Sequence, residues 1–151
     1  MEIRILGPLE IWADERIALG GLRPRSVLAD LVVHANEVVS TEQLVDDLWG
    51  ESPPPTAQKM VHNAISQLRR VVEPAMGANG TVELLTRSGG YMLRFDPRRL
   101  DAYRFERLVE EGRGAVHEGV PEDAARRLRE ALALWRGAPF ADLGEQDFLR
   151  A

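Results

Sequence analysis

The stretch PTAQKMVHNAISQLRRVV, residues 55–72, separates apolar from polar side chains without exception when it is wound at about 100° per residue. Ala57, Met60, Val61, Ala64, Ile65, Leu68, Val71 and Val72 fall in one arc, and Gln58, Lys59, His62, Asn63, Ser66, Gln67, Arg69 and Arg70 fill the rest. The first arc is built for a core. The second carries cations, amides, a hydroxyl and an imidazole, and it meets no carboxylate until Glu73. Those are the groups that hold phosphates and read base edges in a major groove. An ordinary solvated helix face mixes Glu with Lys, so the missing acid favours an anionic partner, although bare solvation stays open for this helix taken alone.

Prolines set the limits of the helix. A residue that precedes proline is pushed out of the α region, which makes Pro55 the earliest first position after Pro53 and Pro54. Pro74 disfavours helix at Glu73, leaving about 18 residues, or roughly 27 Å, enough to cross a major groove. The free amides of the first turn, with the Thr56 hydroxyl beside them, suit a phosphate.

The chain as a whole is acidic, with a formal net charge of −5, which argues against a nucleic-acid partner until it is divided along the sequence. Residues 1–52 hold ten acids against four Lys or Arg, residues 53–95 hold two against five, and residues 96–151 hold twelve against ten. Only the middle third is basic, and it contains the helix. Phosphate binding depends on this local footprint and not on the overall isoelectric point.

Before the helix the pattern changes twice. Ile3 and Ile5 alternate with Glu2 and Arg4, Gly7-Pro8 signals a turn, Leu9 and Ile11 resume the alternation, and residues 16–19 make a third short run, so a small antiparallel sheet is expected. Gly20-Gly21 breaks it, and Val27, Leu28, Leu31, Val32 and Ala35 take helical spacing up to Asn36. Ser40 with Gln43 predicts a capping box at the start of a second helix, whose buried side is Leu44, Val45, Leu48 and Trp49 and which Gly50 ends.

After the link MGANG, residues 76–80, the stretch TVELLTRSGGYMLRF reads as a hairpin. Val82, Leu84 and Thr86 alternate outward, Tyr91, Leu93 and Phe95 alternate back, and Ser88-Gly89-Gly90 turns, with Arg87 at the tip. Alone, such a hairpin is better explained as an ordinary sheet edge. Following two short helices and a long polar-faced one, it completes an α+β fold, a winged helix-turn-helix.

Little supports catalysis. His34, His62 and His117 are far apart and belong to no metal-ligand spacing, and no glycine cluster leads into a phosphate-binding Gly-Lys-Ser or Gly-Lys-Thr. Asp46-Asp47 and Glu110-Glu111 are neighbours on helices pointing in different directions, which reads as solvated surface. No catalytic, metal-binding or cofactor-binding residue is expected. The chain has no cysteine, hence no disulfide framework or thiolate site. Its first residues alternate instead of forming an apolar leader, and no window has the apolar length of a membrane span, so a cytoplasmic protein without a membrane partner is expected.

These residues carry a resemblance. The N-terminal sheet, TEQLVDDLWG (residues 41–50), the proline step, AISQLRRVVEP (64–74) and SGGYML (88–93), in that order, resemble the OmpR/PhoB-type DNA-binding domain as carried by Streptomyces antibiotic regulatory proteins. The match covers residues 1–96. Beyond it, residues 97–151, with DAYRFERLVEEGRGAVHEG (101–119) and EDAARRLREALALWRGAPFADL (122–143), are similar to the start of a bacterial transcriptional activator domain, an α-helical, TPR-like array. Phe105, Leu108, Val109, Ala115 and Val116 form one stripe there, and Ala124, Ala125, Leu128, Ala131, Leu132 and Trp135 another. Stacked repeats generally need at least three units, so this segment is expected to be truncated and held more loosely than residues 22–95. No receiver domain is expected before the sheet, so phosphorylation of one is not the expected switch.

Carried over residue by residue, the resemblance implies that Lys59, Asn63, Ser66 and Gln67 read bases, with the amides of Asn63 and Gln67 suited to adenine. It implies phosphate or wing contacts for Thr56, His62, Arg69, Arg70, Arg87 and Ser88. Trp49 matches a position near a loop that faces phosphate and RNA polymerase, and equally fits a core tryptophan. The expected function is a sequence-specific transcriptional regulator, an activator of a biosynthetic, secondary-metabolite gene cluster. It would bind double-stranded promoter DNA at direct repeats, self-associate there and recruit RNA polymerase. The alternative is a protein-interaction module that uses the TPR-like helices, with the winged helix as scaffold.

Overall fold

The computed structural model describes residues 1–76, 82–144 and 146–150, so most of the MGANG link lies outside the described residues. The N-terminal alternation forms β1 (Glu2–Arg4) and β2 (Glu10–Trp12), paired antiparallel with Ile3 opposite Ile11. Both isoleucines are fully buried. The third run expected at residues 16–19 is not a strand. After one bridge between Trp12 and Arg16, the Ile17 N–H donates to the Ile11 carbonyl (2.9 Å), and the chain then turns inward to bury Leu19.

Helix α1 (Leu22–Val33) buries Val27, Leu28, Leu31 and Val32, as their spacing predicts. Just past it, Asn36 at φ 64° exchanges both ends of its side-chain amide with the backbone of Phe95, at 3.0 and 2.9 Å, tying the helix exit to the later hairpin. Helix α2 (Thr41–Trp49) starts where the Ser40 hydroxyl accepts the Gln43 N–H at 3.0 Å. Only half of the expected capping box forms. The Gln43 side chain donates to Asp47 one turn on, at 2.7 Å, while Ser40 belongs to a short strand, β3 (Val39–Ser40).

Helix α3 (Ala57–Met76) differs from expectation at both ends. Residues before Ala57 form a turn closed by the Ala57 N–H on the Pro54 carbonyl (3.0 Å), so Pro55 is not yet helical. At the far end the helix passes through Pro74 to Met76. Proline there forfeits one bond to the carbonyl four residues earlier, that of Arg70. Both Pro74 and Arg70 are exposed, which leaves that carbonyl to water.

The hairpin consists of β4 (Val82–Arg87) and β5 (Gly90–Phe95), in a sheet ordered β3-β5-β4 with every pair antiparallel. Leu84 faces Leu93 and Thr86 faces Tyr91, the register that the alternation predicts. The turn is Ser88-Gly89 alone, because Gly90 already pairs with Arg87 and, across β5, with Ser40. Gly90 admits no side chain: a Cβ there would lie 2.2 Å from the Val39 carbonyl oxygen.

Helices α4 (Asp101–His117) and α5 (Pro121–Ala133) make a helical hairpin, tight where Gly112 meets Leu128. This segment is tied to the N-terminal sheet by hydrogen bonds and packing. Asp101 starts α4 fully buried and accepts the N–H groups of Ile5 and Leu6 at 2.9 and 3.0 Å. After α5 the chain returns to β1: the Arg136 N–H donates to the Leu6 carbonyl (2.7 Å), the Phe140 N–H to that of Ile5 (3.0 Å), and Asp142 accepts the Leu9 N–H (2.8 Å). Phe140 and Leu143 then enter the same core as Ile3, Leu28, Leu68 and Leu93. Packing therefore runs across the boundary expected at residue 96. What stays open is the outer side of the helical hairpin, where Val116 and Leu132 are 61% and 67% exposed.

Candidate nucleic-acid interface

The two arcs of α3 separate in space as they do on the helical projection. Ala57, Val61, Ala64, Ile65, Leu68 and Val72 are buried, while Gln58, Lys59, His62, Asn63, Ser66, Gln67 and Arg70 are all exposed. With 20 residues the helix is roughly 30 Å long, and its polar face is exposed at Gln58, Lys59, His62, Asn63, Ser66, Gln67 and Arg70. Lys59, Asn63, Ser66, Gln67 and Arg70 have no side-chain hydrogen bond to any described residue, so their donors and acceptors are left to solvent or a ligand. Among the described residues, the Thr56 hydroxyl, also exposed, makes only a long 3.7 Å contact to the Met60 sulfur.

Two residues of the polar arc do otherwise. Arg69 is half-buried against the hairpin: its Nε and Nη2 donate to the Leu84 carbonyl at 3.2 and 3.1 Å, and Nη2 also donates to the Thr86 hydroxyl at 2.6 Å. The same guanidinium lies 5.9 Å from the centre of the Tyr91 ring. His62 meets that ring edge-on, with centroids 6.0 Å apart. Sequence reasoning placed Arg69 and His62 among phosphate contacts and did not anticipate their packing on the hairpin. A signal was present, since at about 100° per residue both fall within about 60° of Ile65, on the flank of the polar arc and not at its middle.

At the hairpin tip Arg87 and Ser88 are exposed, and among the described residues the Arg87 side chain donates only to the neighbouring Thr86 carbonyl, at 3.1 Å. The Gly89 carbonyl accepts the Thr41 N–H (3.0 Å), so the tip is moored to the start of α2 while its side chains point free. The one described acid of the hairpin, Glu83, is engaged by Arg94 across the strands, with Nε at 2.8 Å. The surface formed by α3 and the tip is therefore cationic and carries no uncompensated carboxylate before Glu73. Trp49, at the end of α2, is half-buried against the core, and the Arg23 guanidinium covers its ring at 4.7 Å. Among the described residues, no group of His, Asp and Glu is arranged to hold a metal, and no helix is long and apolar enough to cross a membrane.

An exposed amide-and-cation helix beside a moored, basic-tipped hairpin is the arrangement of a winged helix-turn-helix, and known proteins agree with it. Residues 17–93 match the family described as transcriptional regulatory protein, C terminal, and residues 100–151 match the bacterial transcriptional activator domain. Regulatory protein DnrI of Streptomyces peucetius is 39% identical over 95% of this chain and 54% of its own length. Transcriptional regulator RedD of Streptomyces coelicolor is 37% identical over 96% of this chain and 42% of its own. A solved structure of Mycobacterium tuberculosis EmbR in complex with a low affinity phosphopeptide superposes with a TM-score of 0.89 at 33% identity, over 99% of this chain and 39% of that one. The chain thus spans about half the length of the curated relatives it matches, or less. All of these are named as regulators and none as an enzyme. With an OmpR/PhoB-type regulatory domain running into a bacterial transcriptional activator domain, the chain belongs to the Streptomyces antibiotic regulatory protein family of transcriptional regulators.

Proposed function

We propose that this chain binds double-stranded promoter DNA in a sequence-specific manner and activates transcription of a biosynthetic gene cluster, working in the cytoplasm by recruiting RNA polymerase. The observation that carries the reading is the polar arc of α3, free of acid and exposed at every position from Gln58 to Arg70 except Arg69, beside the exposed Arg87 and Ser88. Residues 1–96 act as the DNA-binding domain and residues 97–151 as the start of the activator domain. Lys59, Asn63, Ser66 and Gln67 read base edges, and Thr56, His62, Arg70, Arg87 and Ser88 contact phosphate or the neighbouring minor groove. The relatives DnrI and RedD, both regulatory proteins of Streptomyces, support the assignment to a biosynthetic cluster. Copies bind head to tail on direct repeats spaced about one helical turn, on the order of 10–11 base pairs.

The test is a titration of the whole chain against a duplex it selects from a random-sequence pool, repeated at several KCl concentrations. Affinity that falls steeply with salt supports the reading, and binding that is absent or indifferent to salt overturns it. A second reading, a partner-binding module with the winged helix as scaffold, is favoured by one observation: Val116, Val120, Leu132 and Trp135 are 40% or more exposed on the helical hairpin. Salt-dependent duplex binding separates the two, because a pure scaffold shows none.

A further inference from the structure

We infer that Arg69 is a positioning residue, which fixes the wing relative to the reading helix α3 and does not itself hold a phosphate. This rests on the proposed reading of α3 and the wing as the DNA-binding surface. The strand β4 is the edge of its sheet, so half of its backbone groups find no partner strand. Arg69 reaches across from α3 and takes one of those groups, the Leu84 carbonyl, with two nitrogens, and the Thr86 hydroxyl with one of the same pair. Its plane also rests near the Tyr91 ring on β5, which His62 contacts from two turns earlier on α3. Arg69 and His62 on α3, with Leu84, Thr86 and Tyr91, thus form one clamp that joins the helix to both strands just below the tip that carries Arg87. Two DNA contacts made by separate elements add up only if their spacing is held, since each free degree of motion must otherwise be frozen on binding. Arg69 supplies that rigidity before DNA arrives.

Lysine distinguishes positioning from phosphate gripping. It keeps the charge, which is all a phosphate needs, but it lacks the planar fork that spans Leu84 and Thr86. In Arg69→Lys the affinity for the selected duplex is expected to fall about tenfold, an amount typical of one lost hydrogen bond to a charged group. The log-log salt slope stays at its parent value, because no phosphate contact is lost. Hydroxyl-radical protection of the minor groove under the wing weakens, while guanine N7 protection under α3 persists. Thr86→Val, which leaves α3 and all charges untouched, shows the same selective loss to a smaller degree and serves if the lysine variant folds poorly. Amide exchange on the DNA-free chain gives a readout independent of DNA: residues 84–91 exchange faster in both variants and α1 does not. The inference is overturned if Arg69→Lys binds like the parent while Arg69→Met lowers the salt slope by about one unit, which is the behaviour of a phosphate clamp. It is overturned equally if exchange at residues 84–91 is unchanged in both variants. A parent chain that binds no duplex but loses wing protection in both variants refutes the DNA reading and leaves the clamp standing.

Discussion

His34 Nδ1 lies 3.1 Å from a carboxyl oxygen of Asp30, one turn earlier on α1, and Asp30 has no exposed surface. The Asp47 side chain approaches from α2, its other oxygen held by Gln43 at 2.7 Å. Burial first, then the hydrogen bond and the charge of Asp47, push the Asp30 carboxyl from 3.8 up to about 8. The unfolded chain releases this proton near the ordinary value and the folded chain near the raised one, so the folded state holds more protons in between. Stability is therefore fullest below the ordinary value and declines as pH rises through the window. The half-buried carboxyls of Asp96 and Asp123, held low by Arg98 and Arg127, titrate on its acid side. Asp30→Asn, which cannot ionise, should flatten the decline. Urea unfolding at pH about 5 and about 8.5 measures it, and a parent chain that grows more stable toward the upper pH would sink the idea.

Asp101 accepts two N–H groups of β1's exit in a fully buried position, so removing its carboxyl strands both donors. Asp101→Ala should cost about 2–4 kcal/mol. Phe140→Ala, on the returning segment, should cost about 3 kcal/mol through the cavity it leaves. Both losses should appear in a single unfolding transition reported equally by α1 and α4, because Phe140 and Leu28 share one core. Two separate transitions would mean that the helical hairpin unfolds independently.

Gly90 lies where the backbone of β3 crosses closest to β5. Gly90→Ala must displace the Val39 carbonyl and should cost about 1–3 kcal/mol, as overpacking does. Its chemical-shift changes should concentrate at residues 38–41 and 88–92. Changes spread evenly over α4 and α5 instead would contradict this.

The parts of the fold legible in the sequence are those encoded locally. The arcs of α3, the alternation from Val82 to Phe95 and the Ser40 cap each depend on neighbours within a turn or a pleat, and periodicity reports them faithfully. Pro74 misled because proline's penalty is small where the lost bond leaves an exposed carbonyl. The return of residues 136–143 to β1 depends on partners more than a hundred positions away, such as Asp142 with Leu9, and no local pattern announces them. Arg69 is intermediate. Its chemistry fits a phosphate as well as a carbonyl, and only the position of β4 tells which it meets.

Asn63 and Arg87 should fail in different ways. Asn63 projects from the exposed arc of α3 with no described hydrogen-bond partner, where an amide can meet a base edge. Arg87 stands beside the Ser88-Gly89 turn, its side chain held among the described residues by its neighbour's carbonyl alone, where a guanidinium suits a phosphate or a narrow minor groove. Both are exposed, so both variants should keep the parent's unfolding midpoint. Asn63→Ala should cost about 1–3 kcal/mol on the selected duplex and much less on random duplex, lowering the specificity ratio. Arg87→Ala should weaken both to similar degrees and reduce the log-log salt slope by about one unit. Titrations of both duplexes over a range of KCl concentrations decide between the roles. If Asn63→Ala weakens the two equally and lowers the slope, α3 is gripping there, and base reading must be sought at Ser66 or Gln67 instead.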